Sequence, residues 1–300
     1  MGTREIIFAA VLPAFVSLVV LVAVHLLIAS REKRIGTPGP SVAWLLPGLL
    51  AGGSLLGAWA WQSRVELWAE SVTHRFPAVA LAALLAGLAG TLIRLRRSAV
   101  FTALPALVAG GFVAWAFLGA LHPSLISEPG RWGWIAGVAL LTGVQAWAIE
   151  VGARVLPGWK MPSVLWVAIG LIALGATGGF ASAPLVVWPA SAVCFALAGA
   201  GIIRRDVNLL RGVGPAIAVL IAGLATFSNW FGDRERWLMF ALLMAAPLPL
   251  ALAGLPVLRK KAILRLVVAA IPAVALPGIQ AVIAVPALIR ATEGSDEYDY

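Results

Sequence analysis

The feature that most constrains this chain is a run of forty-three residues, 161–203, in which no side chain is charged. Eight further uncharged stretches of at least eighteen residues occupy most of the remaining sequence. A helix needs about 20 apolar residues to cross a hydrocarbon core of roughly 30 Å. The backbone can cross that core only if its own hydrogen bonds are closed internally. The sequence therefore predicts an integral membrane protein, whose first partner is the lipid bilayer.

Composition agrees with this prediction and excludes a sizeable soluble domain. The chain is 61% hydrophobic and 12% charged, whereas soluble proteins carry about 25% charged residues. The apolar runs are continuous and roughly twice as long as the alternating strands of an outer-membrane barrel. We therefore expect an all-α fold, a polytopic bundle of transmembrane helices.

The uncharged stretches predict about ten transmembrane helices joined by short loops. The longest run is divided in two because residues 178–184 read Gly-Gly-Phe-Ala-Ser-Ala-Pro, which is a turn signal. Residues 1–291 are thus expected to form a single transmembrane domain. The predicted helices are 6–29, 42–61, 76–93, 100–121, 132–151, 162–179, 184–203, 213–230, 237–258 and 264–289.

The basic residues predict the orientation of the helices. With ten helices, 15 of the 22 Lys and Arg residues fall on one side of the membrane, which the positive-inside rule makes the cytoplasmic side. Both termini are then periplasmic or extracellular, and a bacterial inner membrane is the expected location. The net charge of +9 is read as this topology signal, so no nucleic-acid partner is expected. The fifteen residues are Arg31, Lys33, Arg34, Arg94, Arg96, Arg97, Arg154, Lys160, Arg204, Arg205, Arg211, Arg259, Lys260, Lys261 and Arg265.

The chain is rich in tryptophan, and most of the thirteen Trp residues fall near predicted helix ends. We interpret them as an aromatic belt at headgroup level, with ligand stacking as the alternative. In one outer loop, Trp61, Val65, Trp68 and Val72 recur at helical spacing, which predicts an interfacial helix over residues 62–75. The alternative for this loop is a lid or a docking surface for a partner, built on Trp61 and Trp68.

The last nine residues, 292–300, differ from the rest of the chain because they hold four of its thirteen acidic residues and both tyrosines. Such a segment has too little apolar content to pack and is predicted to be a disordered acidic tail. It is either a solvated end or a docking segment in which Tyr298 and Tyr300 contact a basic protein partner on the periplasmic or extracellular face.

A short internal echo suggests a substrate path. Residues 104–107, Leu-Pro-Ala-Leu, are matched 167 residues later by Ile-Pro-Ala-Val at 271–274. The match suggests a parallel duplication of helices 1–4 and 7–10, with chance similarity as the alternative. Interrupted helices at matching places mark the substrate site of duplicated transporters, whereas packing kinks without a ligand are the other interpretation. The predicted path residues are Pro105, Gly110, Gly111, Pro272, Pro277, Gly278 and Gln280.

Two ionisable residues lie inside predicted helices, Glu150 and His25. Both lie near cytoplasmic helix ends, where a side chain can reach the interface, and this is the first interpretation of Glu150. The second interpretation gives these residues a gating or pairing role, because a buried ionisable group in a membrane is costly and usually functional. The scarcity of such groups argues against proton-coupled antiport and intramembrane proteolysis.

The sequence contains none of the motifs that would predict an enzyme. The three histidines lack metal-ligand spacing, and no phosphate-binding loop or nucleophile elbow is present. We therefore expect no catalytic residue, no metal and no cofactor.

Two functions stay open. The Gly- and Pro-interrupted helices favour a permease for a small solute or lipid. The Trp-rich loop, the acidic tail and the few buried polar groups favour a non-catalytic scaffold or accessory subunit of a membrane complex.

Overall fold

The computed structural model describes residues 7–35, 45–62, 68, 71–96, 98–176, 186–203, 210, 212–231, 237–258 and 260–293. Within these residues every regular element is helical, so the predicted all-α fold class is confirmed. Five helices are long and apolar enough to cross a membrane, and five further apolar helical segments are shorter.

Ten α-helices follow one another along the described part of the chain, at the places where the sequence predicts ten helices. A π-helical turn, Ile7–Val11, precedes the first. The helices are α1 Leu12–Ile35, α2 Leu46–Gln62, α3 Phe76–Arg96, α4 Ala103–Leu118, α5 Glu128–Val155, α6 Lys160–Ala176, α7 Trp188–Ile203, α8 Gly214–Phe231, α9 Trp237–Ala245 and α10 Ala262–Glu293.

The division of the forty-three-residue run is confirmed, because α6 ends at Ala176 and α7 begins at Trp188. The turn between them lies outside the described residues. By contrast, the predicted bounds of the fifth helix are too short. The Ser127 side chain accepts a hydrogen bond from the Gly130 N–H at 3.3 Å, and Pro129 stands in the first turn, so α5 begins four residues earlier than predicted.

Helix α8 is the centre of the bundle. Every residue from Gly214 to Ser228 is buried, and the helix packs against α3, α4 and α5, with further contacts to α9 and α6. A helix that is apolar on all sides is stable only when neighbours surround it. The rings of Phe76 from α3 and Phe117 from α4 lie 5.0 and 5.7 Å from that of Phe227, which joins these three helices in the core.

Helices α4 and α5 form one of the tightest contacts in the fold, and glycines make it so. A Cβ atom at Gly110 would lie 2.6 Å from the Thr142 side chain, and one at Gly143 would lie 3.3 Å from Leu107 Cβ. Small residues allow helix backbones to approach closely, which gains packing contacts where the surroundings are apolar. Helix α10 packs mainly against α6 and against the segment that follows α9.

Candidate functional site

The ninth predicted helix, 237–258, is not one continuous α-helix. Helix α9 ends at Ala245, and the chain continues as a 3-10 helix, Leu248–Gly254. The physical cause lies in Pro247 and Pro249. A proline has no N–H, so the carbonyls of Leu243 and Ala245 lack the donor that a continuing α-helix would supply four residues later. The interruption lies inside the protein, because Leu243 and Met244 are 0% and 1% exposed.

A side chain of α5 contacts the interruption. Gln145 is completely buried, and its Nε2 donates a hydrogen bond of 2.7 Å to the Met244 carbonyl. The same nitrogen lies 3.5 Å from the Met244 Sδ atom. The other end of the amide, Oε1, is buried and has no hydrogen-bond partner in the structure. The end of α9 therefore meets a polar side chain that has half of its hydrogen-bonding capacity unused.

This arrangement is rich in acceptors. It combines Gln145 Oε1 with backbone carbonyls at the end of α9, where the helix dipole places partial negative charge. A buried acceptor without a partner costs on the order of 1–3 kcal/mol, and such groups in a folded protein call for an explanation. Chemically, the interruption can accept a hydrogen bond from a ligand or provide oxygen atoms to a cation.

The same helix carries the buried carboxylate of Glu150. The Glu150 side chain is 0% exposed, and its Oε1 accepts hydrogen bonds from the backbone N–H groups of Gly212 at 2.6 Å and Gly214 at 3.1 Å. The interpretation of Glu150 as an acid that reaches the interface is therefore wrong. The carboxylate instead accepts hydrogen bonds from N–H groups at and just before the start of α8, where the helix dipole favours a negative charge.

The backbone conformation at Gly212 allows this contact. Gly212 has a φ of +86°, a conformation that side chains with a Cβ rarely adopt. A Cβ at Gly214 would lie 3.2 Å from Glu150 Oε1 and 2.8 Å from the Ala146 carbonyl oxygen. The two glycines thus let the start of α8 approach α5, so Glu150 fixes the central helix by a contact between residues 62 and 64 positions apart.

The predicted path residues on α4 lie in closely packed helix. Pro105 is the third residue of α4, where a missing N–H leaves the helix undisturbed. Gly110 faces Thr142, and a Cβ at Gly111 would lie 3.4 Å from Ala139 Cβ. These residues therefore serve the contact between α4 and α5.

The predicted path residues on α10 lie elsewhere. The helix continues through Pro272 and Pro277, a Cβ at Gly278 would lie 3.8 Å from Leu171 Cδ1, and the buried Gln280 packs against Gly175 of α6. Since α4 packs mainly on α3, α5 and α8, the two halves of the predicted path rest against different helices. The structure brings Gln145 and the interruption of α9 together instead.

The predicted docking residue Trp68 is half-exposed and packs against α4. Its ring stacks on Trp115, with 5.5 Å between centroids, and the Arg75 guanidinium lies 4.8 Å from the Trp68 ring. Arg75 Nη1 also donates a 2.6 Å hydrogen bond to the Ala116 carbonyl. Beside Trp68, an apolar groove of about 700 Å³ runs between α3 and α4.

Several predicted features lie outside the described residues. Only parts of the predicted interfacial helix 62–75 are described, namely the end of α2 at Gln62, a turn at Trp68 and a short 3-10 helix, Val72–His74. The side chains of His25 and Trp61, and the tail with Tyr298 and Tyr300, are not described. Among the described residues, no group of three or more His, Cys, Asp or Glu side chains is placed to hold a metal ion.

Sequence reasoning missed Gln145, although a signal was present. It is a polar side chain in the uncharged stretch 132–149, and such residues inside membrane helices usually pair with another polar group.

In comparisons with protein families, curated proteins and solved structures, nothing matches this chain.

Proposed function

We propose that this chain is a multi-pass permease for a small solute, with its substrate region where the interrupted α9 meets α5. The observation that carries the proposal is the buried Gln145 amide, which binds the Met244 carbonyl and keeps an unused acceptor. Irregular backbone at membrane depth is tolerated only against protein or a wet cavity. In transporters, interrupted helices of this kind form the substrate and ion sites.

The surface of the helices supports insertion into a bilayer. Only 28% of the apolar span of α10 and 39% of that of α4 is buried inside the protein. Large apolar side chains are exposed there, among them Val108 at 70%, Ile263 at 81% and Val282 at 73%. Apolar surface on this scale needs a partner, and lipid chains are the natural one. The proposal thus includes ten membrane-spanning segments in a bacterial inner membrane, with both termini on the periplasmic or extracellular side.

The orientation is tested with two exposed serines in a Cys194→Ala background. Ser124 lies in the loop before α5 and Ser98 in the loop before α4, and both are exposed. We expect Ser124→Cys to react with a membrane-impermeant maleimide in intact cells, whereas Ser98→Cys reacts only after lysis. Labelling of Ser98→Cys alone in intact cells would contradict the orientation.

Transport itself is tested with purified protein in liposomes. The vesicles receive a defined mixture of amino acids, sugars, nucleosides and small amines, and the trapped compounds are quantified by mass spectrometry. We expect at least one solute to accumulate above the level in protein-free vesicles. The Gln145→Met variant keeps the side-chain volume but loses both amide functions, and it should reduce that accumulation at least tenfold.

Ser54→Ala provides the matched control for this experiment. Ser54 on α2 is also completely buried, and its hydroxyl also has no hydrogen-bond partner in the structure. It should transport like the unmodified protein. Equal uptake by the Gln145→Met and Ser54→Ala variants would show that the interruption of α9 is not part of the substrate region.

The groove between α3 and α4 favours the second function, a scaffold or accessory subunit of a membrane complex. Its floor is lined by small residues of α3 such as Ala78, Ala82 and Ala86, which let a partner helix approach closely. If this function is the right one, Val108→Trp, at a position that lines the groove and is 70% exposed, should release a co-purifying membrane protein while leaving the fold intact. A monodisperse homomer with no partner, before and after the substitution, would count against it.

A further inference from the structure

The interruption of α9 offers oxygen atoms of one kind. Gln145 Oε1 is an amide oxygen, and Pro247 and Pro249 have no N–H to donate an α-helical hydrogen bond to the carbonyls of Leu243 and Ala245. Each of these atoms is a neutral acceptor. The hydrogen bond from Gln145 Nε2 to the Met244 carbonyl, at 2.7 Å, holds the amide beside the end of α9. Because the amide oxygen and nitrogen share one carbon atom, Oε1 also lies near the Met244 carbonyl, at the C-terminal end of α9.

The charge of this region points to a cation. The C-terminal end of a helix carries about half a negative elementary charge, spread over its last carbonyls. In a buried site that field is weakly screened, so an acceptor without a donor is stabilised by a positive charge more than it would be in water. Half-helix C-termini with unwound carbonyls coordinate sodium in interrupted transporter helices.

The ligand set also limits the kind of cation. Oxygen ligands suit alkali and alkaline-earth ions, whereas soft metals prefer sulfur and nitrogen. Divalent ions such as calcium usually draw carboxylates as ligands. The nearest carboxylate along α5 is that of Glu150, about 7.5 Å further along the helix at 1.5 Å per residue. Its Oε1 is engaged by Gly212 and Gly214. A neutral set of oxygens matches a single positive charge.

We infer that the interruption of α9 binds a monovalent alkali cation through Gln145 Oε1 and backbone carbonyls at the end of α9. The inference rests on the proposed function, in that the cation would be the ion whose binding is linked to solute movement. It goes beyond that function by naming a ligand class and a site for it.

Binding is measured on the purified full chain without any solute. Sodium, potassium or lithium chloride replaces choline chloride at constant ionic strength, and thermal unfolding is followed by tryptophan fluorescence. Binding to the folded state raises Tm with the logarithm of the cation concentration. At saturation we expect a rise of about 4 °C or more for at least one of the three ions. Identical unfolding curves in all four salts would overturn the inference.

Variants assign the binding to the site. In Gln145→Met the concentration that gives half of the shift should rise at least tenfold, whereas Ser54→Ala should keep the unmodified response. Should Gln145→Met fail to fold, Pro249→Ala provides the second test. It restores an N–H that can bond the Ala245 carbonyl, which removes one proposed ligand and should weaken the response. An unchanged response in the folded variants would place the cation elsewhere and refute the site.

The uptake experiment separates this inference from the proposed function. Uptake without any cation-specific shift would refute the cation site and leave the permease. A cation-specific shift that Gln145→Met removes, together with no solute uptake, would refute the permease and leave the cation site.

Discussion

Helix α5 presents two different contacts to its neighbours. Toward α4 it is closed by close packing, since Gly110 leaves no space for a Cβ beside Thr142. Toward α9 it presents Gln145, which donates a hydrogen bond to the Met244 carbonyl at the end of that helix. Both neighbours carry proline, so proline alone does not make the difference.

The position of the proline within the helix explains the contrast. Pro105 stands in the first turn of α4, directly after the 3-10 helix Ala99–Thr102, so its missing N–H removes no hydrogen bond between two turns of α4. Pro247 stands ten residues after Trp237, where a continuing helix needs its N–H. A proline beyond the first turn can interrupt a helix, as it does after α9, but it need not do so, because α10 continues through Pro272 and Pro277.

The largest effect is expected for Gly110→Leu, which tests the closed contact. A Cβ at this position would lie 2.6 Å from Thr142, so a leucine would separate α4 from α5. Overpacking usually costs about 1–3 kcal/mol, and backbone separation costs more. We expect little or no monodisperse protein in detergent chromatography. Gly278→Ala, where the nearest side-chain atom would be 3.8 Å from the new Cβ, is the control and should purify normally.

The second effect is expected at Glu150, where α5 holds the start of α8. Glu150→Ala leaves the N–H groups of Gly212 and Gly214 without this acceptor, so we expect a loss of about 2–4 kcal/mol. Glu150→Gln keeps an acceptor oxygen without the charge and should lose about half as much. The free energy of unfolding in mixed micelles measures both. Unchanged stability of Glu150→Gln would show that the negative charge does not matter, and equal losses in both variants would show that a neutral acceptor contributes nothing.

The third prediction separates stability from activity on the two faces of α5. Gln145→Met removes one hydrogen bond and should lower the free energy of unfolding by only about 1 kcal/mol, although it should abolish most solute uptake. Thr142→Val removes the hydrogen bond from Thr142 Oγ1 to the Val138 carbonyl on the α4 face. It should show a similar loss of stability with normal uptake. Similar losses of uptake in both variants would show that the α9 face and the α4 face of α5 do not differ in their role in transport.

Much of the fold could be predicted from the sequence, because long uncharged apolar stretches favour helices. Uncharged stretches gave the places of ten helices, and the turn signal at 178–184 correctly divided the longest run. The ends were less predictable. The α5 start depends on the Ser127 cap, and the end of α9 depends on Pro247 and Pro249, whereas α10 continues through its own prolines.

The site was less predictable because its partners are distant in sequence. Gln145 bonds a carbonyl 99 residues away, and a neutral amide leaves no charge signal in an apolar stretch. Glu150 was recognised as unusual, but its partners at Gly212 and Gly214 depend on how α8 packs. Gly110 and Gly111 were assigned to a path since sequence alone does not show which helix a glycine approaches.

The smallest effect is expected for Pro105→Ala, which tests the explanation of the contrast. The new N–H lies in the first turn of α4, where the helix gains nothing from it, so stability should change by no more than about 0.5 kcal/mol. Uptake should also be unchanged. A large gain or loss in the denaturation midpoint would show that Pro105 shapes α4 after all.

We propose that the interruption of α9 is a working site, whereas the contact between α4 and α5 is only packing. The most direct test compares single cysteines in the Cys194→Ala background, Ala246→Cys beside the interruption and Ala106→Cys in α4, both 0% exposed in the unmodified protein. A thiol reacts with N-ethylmaleimide as the thiolate, so labelling requires water to reach it. If transport opens the α9 region, the folded protein should be labelled at Ala246→Cys at least tenfold faster than at Ala106→Cys. Equal protection of both cysteines until the protein is denatured would contradict the account.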